Sequence, residues 1–330
     1  MKRITFFLIT VFACKSAISH ARETTEEWRE LALSTHPTAR HEATFLSHEG
    51  KCYLLGGRRI NPVDEFDPKT KTWRSMAKSP IELHHFQAIS YDGKIWIVGA
   101  LTGPYPGEKP VANIYIFDPR ENEWSVGPEI PEGRRRGSNG VVLHEGKIYL
   151  VCGIRNGHIG GYVSWLDSYD PVRKEWKILP DAPRPRDHFG AALVDGKIIA
   201  AGGRTTSQET KQVFDLVIPE ADIFDIKAQT WSTAIDPIPT PRAGTMTISL
   251  ADRAVIAGGE SMREKAHDEV EALDPASGKW ESWPSLVTGR HGTGLAMVDG
   301  MLYTAAGCAV RGGGKEINST EVLSMPVEKK

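Results

Sequence analysis

Phe66-Asp67-Pro68-Lys69-Thr70-Lys71-Thr72-Trp73, FDPKTKTW, reads as the end of one strand, a tight turn and the start of another. Near-copies recur: FDPRENEW ending at Trp124, YDPVRKEW at Trp176, FDIKAQTW at Trp231 and LDPASGKW at Trp280. In all five the Asp lies six residues before the Trp. A fixed period decides the fold before any single segment is read.

A second landmark lies upstream of each unit, a small-residue pair closing an apolar run. The pairs end at Gly57, Ala100, Gly153, Gly203, Gly259 and Gly307. Seventeen residues before the second member stand Arg40, Leu83, Arg136, Arg186, Arg242 and Arg290. Between these landmarks fall Asp92-Gly93, Glu145-Gly146, Asp195-Gly196 and Asp299-Gly300. Such pairs favour two-residue hairpins, because Gly accepts positive φ. Each unit therefore reads as four short strands: A after the Arg, B to the Gly pair, C to the Asp, D with the Trp.

The two ends of the repeat settle its count. The last unit, from Arg290 through STEVLSM, holds strands A to C, and Trp28 has no unit before it. A segment around Trp28 is expected to supply the missing strand D, closing a ring with only short edges. These residues resemble the Kelch-repeat β-propellers, whose repeat of roughly 50 residues carries a Gly pair and a later Trp. The resemblance implies an all-β, six-bladed propeller over residues 22–330. Departures are Gly99-Ala100, Cys152-Gly153, Ile226 and Leu83.

The first residues, MKRITFFLITVFACKSAISHA, read as an export signal over 1–21. Lys2 and Arg3 precede a short apolar run, and small residues end at Ala21. The expectation is a periplasmic or secreted protein. A rival reading makes Cys14 the lipid-bearing residue of a lipoprotein, although Phe12 fits that motif poorly. Later apolar runs are too short to span a bilayer as helices. Net charge is -2, which gives nucleic-acid binding no electrostatic support. Cys52, Cys152 and Cys308 are far apart and read as free buried thiols. The chain reads as a monomer.

Length variation points to the functional face. The Gly landmark to the next Asp takes 10, 18, 17, 22 and 15 residues in the first five units, so the variation lies between strands B and C. Variable loops on a rigid scaffold are where binding is usually placed. The B–C loops and the strand-A starts share one mouth of the central channel. That mouth gathers Arg40, His41, His84, His85, Arg135, Arg136, Arg186, Asp187, His188, Arg242, Arg290 and His291, with Arg58, Arg59, Arg155, Arg204, Glu260 and Arg311 just past strand B. Converging guanidiniums suit a carboxylate or phosphate. The competing reading makes each strand-A Arg a structural tie between blades. Trp165, at the end of a variable loop, is the expected stacking platform.

No metal and no cofactor are expected. His84 and His85 are strand neighbours and should point to opposite faces. A site from His41, His84 and His291 has no carboxylate spacing behind it. GCAVRGGGKE imitates a phosphate loop but carries Glu316 after the Lys.

The leading expectation is a binding or scaffold protein that holds an acidic glycan or acidic peptide at this mouth, or a protein partner on the B–C loop face. The alternative is a sugar mutarotase or epimerase. Exported Kelch propellers include the sialic acid mutarotases, and Glu260 with Arg263 look like the acid and arginine that family places beyond strand B. The blade order does not match well and a long insertion is lacking, so Glu260 and His291 stand only as candidate acid or base. Resemblance to galactose oxidase is weaker, because Cys52 and Tyr53 alternate across a strand.

Overall fold

The computed structural model describes residues 27–325. The export-signal reading of residues 1–21, with Cys14, lies outside the described residues. The described chain forms six four-stranded antiparallel sheets and two small two-stranded ribbons. The first blade runs Ala43–His48, Lys51–Gly56, Pro62–Asp67 and Thr72–Lys78, strands A to D from the channel outward. The next four blades repeat this order. The sixth has Ala296–Val298, Met301–Ala305 and Thr320–Ser324, and takes Arg29–Glu30 as its fourth strand. Arg29 pairs with Val322 and Glu30 with Glu321, so the start of the described chain closes the ring as expected. No helix among the described residues is long and apolar enough to cross a membrane.

The recurring octapeptide has a local cause. The Asp67 carboxylate accepts the N–H groups of Lys69 at 2.9 Å and Thr70 at 3.4 Å; Asp118 and Asp170 do the same for the residues two and three ahead. This side-chain-to-backbone bonding specifies the turn. The residue two before each Trp takes positive φ: Lys71, Asn122, Lys174, Gln229 and Gly278. The Trp then lands opposite the residue before the Asp. Phe66–Trp73, Phe117–Trp124, Tyr169–Trp176 and Phe224–Trp231 are cross-strand pairs with ring centroids 4.7–5.2 Å apart. Such pairs stabilise a sheet beyond their buried area.

The apolar core is divided among the blade interfaces. Six buried clusters each draw on two neighbouring blades; Phe45, Leu54 and Trp73 of the first blade pack on Ala296, Tyr303 and Val322 of the sixth. Cys52, Cys152 and Cys308 are free and buried. The six A strands surround a channel of about 490 Å³.

Candidate functional site

The strand-A arginines are not mouth ligands, which corrects the expectation drawn from their position. Arg40, Arg136, Arg186, Arg242 and Arg290 are at most 1% exposed. Each turns its guanidinium into its own blade and donates to the backbone carbonyl sixteen residues on, at Gly56, Cys152, Gly202, Gly258 and Ala306. Each also pairs with a strand-C carboxylate: Asp64, Asp167, Asp222, Glu271 and Glu321. These acids stand three residues before the landmark that ends strand C. Burial lowers the pKa of Arg40 to about 10, with Asp64 opposing that effect. The second Gly of the pair makes the approach feasible. At Gly259, with φ +118, an added Cβ would lie 2.7 Å from the Ala243 carbonyl oxygen.

Two residues beyond each strut position, the backbone turns left-handed. Glu42, His85, Ser138, His188, Gly244 and Gly292 have φ of 55, 54, 55, 54, 64 and 66°. Their peptides form a circle around the channel. His85 N–H donates to Glu42 O at 2.9 Å, Ser138 to His85 at 2.7 Å, His188 to Ser138 at 3.1 Å, Gly244 to His188 at 2.5 Å and Gly292 to Gly244 at 3.2 Å; Ala43 N–H closes the circle on Gly292 O at 3.0 Å. The same turn overturns the expectation for His84 and His85. Alternation holds only for extended backbone, and at φ 54° the two rings meet with Nδ1 atoms 2.6 Å apart.

Above this circle lies a cavity of about 620 Å³, lined by His41, Glu42, Arg58, Arg59, Tyr105, His158, Arg204, Val213, Phe214, Glu260, Gly312, Gly313, Gly314 and Glu316. Every lining residue comes from a B–C loop or from the start of the first strand A. Its charges are paired. Arg58 donates to Glu108 at 2.5 Å, Arg59 to Glu316 at 2.7 Å and Arg204 to Glu260 at 2.6 Å, while His41 Nδ1 lies 2.8 Å from Glu316. The mouth is therefore charge-balanced, not a bare ring of cations.

Behind the wall, His291 Nε2 donates to the carbonyls of Val310 at 2.9 Å and Gly312 at 3.1 Å, and lies 3.5 Å from Glu260. Burial opposes its charging, but Glu260, Glu42 and the Cys308 thiol overcome that and raise its pKa to about 10. Burial would likewise raise Glu260, yet His291, Arg204 and the Gly312 N–H hold it well below the carboxylate range. At neutral pH the two are a fixed ion pair. Proton transfer is fastest from groups that titrate near the working pH, so this pair is poorly suited to acid–base catalysis. His84 is pushed down to about 4 by burial and the nearby Arg58, and burial also lowers His85 and His188.

Of the residues expected at the mouth, His41, Arg58, Arg59, Arg204 and Glu260 line the cavity. His188 faces a narrow floor beneath it, with Glu42, His85 and Ser138. His84 and His291 are fully buried at its edge. Trp165 does not offer an open face to the mouth: Arg134 stacks on it at 4.1 Å and the exposed Arg155 at 5.3 Å. Arg263 lies outside the cavity, bound to Glu269 at 2.9 and 3.0 Å. Sequence reasoning missed Glu42, Tyr105, Glu108, His158, Phe214 and Glu316. All but Glu42 sit on the variable loops, whose length was the available signal.

Comparison with known proteins agrees with this architecture. The family model of the Attractin/LZTR1 beta-propeller matches residues 15–262. Kelch-like protein terF of Aspergillus terreus is 28% identical, covering 94% of this chain and 70% of that protein. Kelch-like protein 38 of Mus musculus is 24% identical over 79% of this chain, which spans only 43% of that relative. The solved structure of YjhT superposes with a TM-score of 0.73 at 16% identity, covering 90% of this chain and 98% of that one. At that identity the match speaks for the fold alone.

Proposed function

The chain belongs to the Attractin/LZTR1 beta-propeller family and is a Kelch-repeat propeller, and from that premise we propose that it is an exported binding protein whose mouth cavity holds a carboxylate-bearing ligand, an acidic sugar or an acidic peptide. The observation that carries this reading is the make-up of the cavity wall. Arg58 and Arg59 border it, and the Arg59 side chain is 58% exposed. A guanidinium has five N–H donors and one carboxylate engages at most two, so each retains donors for a ligand. Tyr105 and Phe214 add aromatic faces beside these donors, the combination of apolar surface and few polar groups typical of small-ligand sites. A catalytic reading is less well supported, because Glu260 and His291 are both displaced from neutrality in the directions that lock them as ions.

Saturation-transfer NMR with a panel of uronic acids, sialic acid and short Asp/Glu peptides tests the proposal. Expected are saturable transfer to one acidic class and at least a tenfold weakening in Arg59→Ala. Anomer exchange, read in the same samples, should run at its uncatalysed rate. Absence of transfer to every acidic ligand overturns the binding reading, and accelerated anomer exchange overturns its non-catalytic part.

A further inference from the structure

The geometry points to a transition-metal site at the floor of the mouth, with His85, His158 and His188 as ligands. The three come from three blades: His85 and His188 from the left-handed positions of the second and fourth, His158 from the B–C loop of the third. All are buried, and one ligand nitrogen from each lies within 4.8 Å of the other two. This inference is independent of what the cavity binds.

The hydrogen bonds fix which nitrogens are free. A carboxylate only accepts, so a ring nitrogen bonded to one carries the proton. Asp187 takes the Nδ1–H of His188, and Glu108 takes the Nδ1–H of His158 at 3.0 Å. In the neutral imidazoles both Nε2 atoms then present lone pairs, and they face each other across 3.1 Å. Two lone pairs at that distance in a buried site repel unless a cation or a proton lies between them. Metal–nitrogen bonds of about 2.0–2.1 Å at the tetrahedral angle set two ligand nitrogens about 3.3–3.4 Å apart, close to what is found. His85 adds the third ring, its centroid 5.3 Å from that of His158 and 4.8 Å from that of His188. Its Nε2 is buried and makes no well-aligned hydrogen bond, although the Glu42 carboxylate lies 3.3 Å away and would be a further oxygen donor beside the cluster.

The surroundings have the form such a site requires. Ligating histidines usually donate their other N–H to a carboxylate, which fixes the tautomer and raises basicity. Asp187 is itself held by the Thr206 N–H at 3.0 Å and hydroxyl at 2.9 Å, and Glu108 by Arg58. Three neutral imidazoles suit zinc, copper, nickel or iron in the divalent state. His158 also borders the cavity, and Glu42 lines both the cavity and the floor beneath it.

The test is cobalt titration of the purified chain, stripped with EDTA and carrying no histidine tag. Expected are one equivalent of Co²⁺, the intense visible bands of a four-coordinate ion, and displacement by one equivalent of Zn²⁺. His158→Ala, in a loop, should raise the Kd at least 100-fold, and Asp187→Asn about 10- to 100-fold. His144→Ala, outside the cluster, should leave it unchanged. Thermal unfolding of each variant separates a lost ligand from a lost fold, and the wild-type spectrum decides whether or not the variants fold. Sub-stoichiometric binding, a six-coordinate aqua-like spectrum, or undiminished binding by a folded His158→Ala would each overturn the site.

Discussion

Arg186 and His188 stand two residues apart on one strand start and do opposite work. Arg186 is fully buried and spends its donors on the Gly202 and Glu220 carbonyls and on Asp222. His188, held by Asp187, turns its Nε2 to His158 of the mouth wall. The contrast runs round the ring. One layer, the Arg with its strand-C carboxylate, is repeated in five of the six blades. The layer two residues on holds Glu42, His85, Ser138, His188, Gly244 and Gly292, and varies. Repetition answers a need every blade shares, namely anchoring strand A to strands B and C. Variation appears where the six blades face one common space. The second blade proves that the strut is architecture: Leu83 replaces the Arg, Tyr115 replaces the acid, and both join the apolar cluster against the first blade.

Breaking the strut layer should produce the largest effect. Arg242→Ala leaves Glu271 buried with Thr240 as its remaining side-chain partner. Removing one member of a buried pair costs about 3–5 kcal/mol, whereas replacing both with apolar residues is often far milder. Urea unfolding of Arg242→Ala should show that loss, and Arg242→Leu with Glu271→Tyr, copying the second blade, should recover most of it. A double variant no more stable than the single would mean that the two blades are not solving the same problem. Trp73→Ala should cost about 3 kcal/mol, because it strips the Phe66 stack and the indole bond to Thr320 that joins the first and sixth blades at 3.1 Å. Both changes should leave ligand saturation at the mouth intact. Arg59→Ala should do the reverse, weakening ligand while shifting stability by no more than about 0.5 kcal/mol.

The fold was legible because each repeated residue answers a local backbone demand. The Asp bonds the turn, the Trp fills the cross-strand slot and the Gly permits close approach, so six registers spell six blades and Trp28 shows where the ring closes. The mouth was legible only as a location. Reading the arginines as ligands followed their place at the strand start and overlooked a pattern within the chain. An acid precedes the strand-C landmark by three residues wherever the Arg is present, and Tyr115 stands there in the one blade without it. His158 could not be read off, because it reaches His188 from a loop with no fixed register. His85 could not be placed by alternation, because its positive φ is imposed by the hydrogen-bonded circle, which forms only when all six blades meet.

The smallest effect separates the layers by pH. His291 titrates near 10 in the folded chain and near 6.5 when unfolded. A raised folded pKa contributes stability that is complete below the unfolded value and is lost as pH climbs through the folded one. Between those values the native state holds one more proton, so stability falls by up to about 1.4 kcal/mol per pH unit. His267 runs the other way. Burial and Arg263 lower it to about 4, so its contribution is lost as pH drops from about 6.5 toward that value. Urea unfolding at pH 7 and pH 8.5 should therefore show wild type losing up to about 2 kcal/mol more than His291→Gln, with no such difference for His267→Gln. Parallel wild-type and His291→Gln curves would mean that His291 is neutral. Glu260 would then lose one of the partners that hold it as an ion and would rely on Arg204 at 2.6 Å and the Gly312 N–H at 2.7 Å.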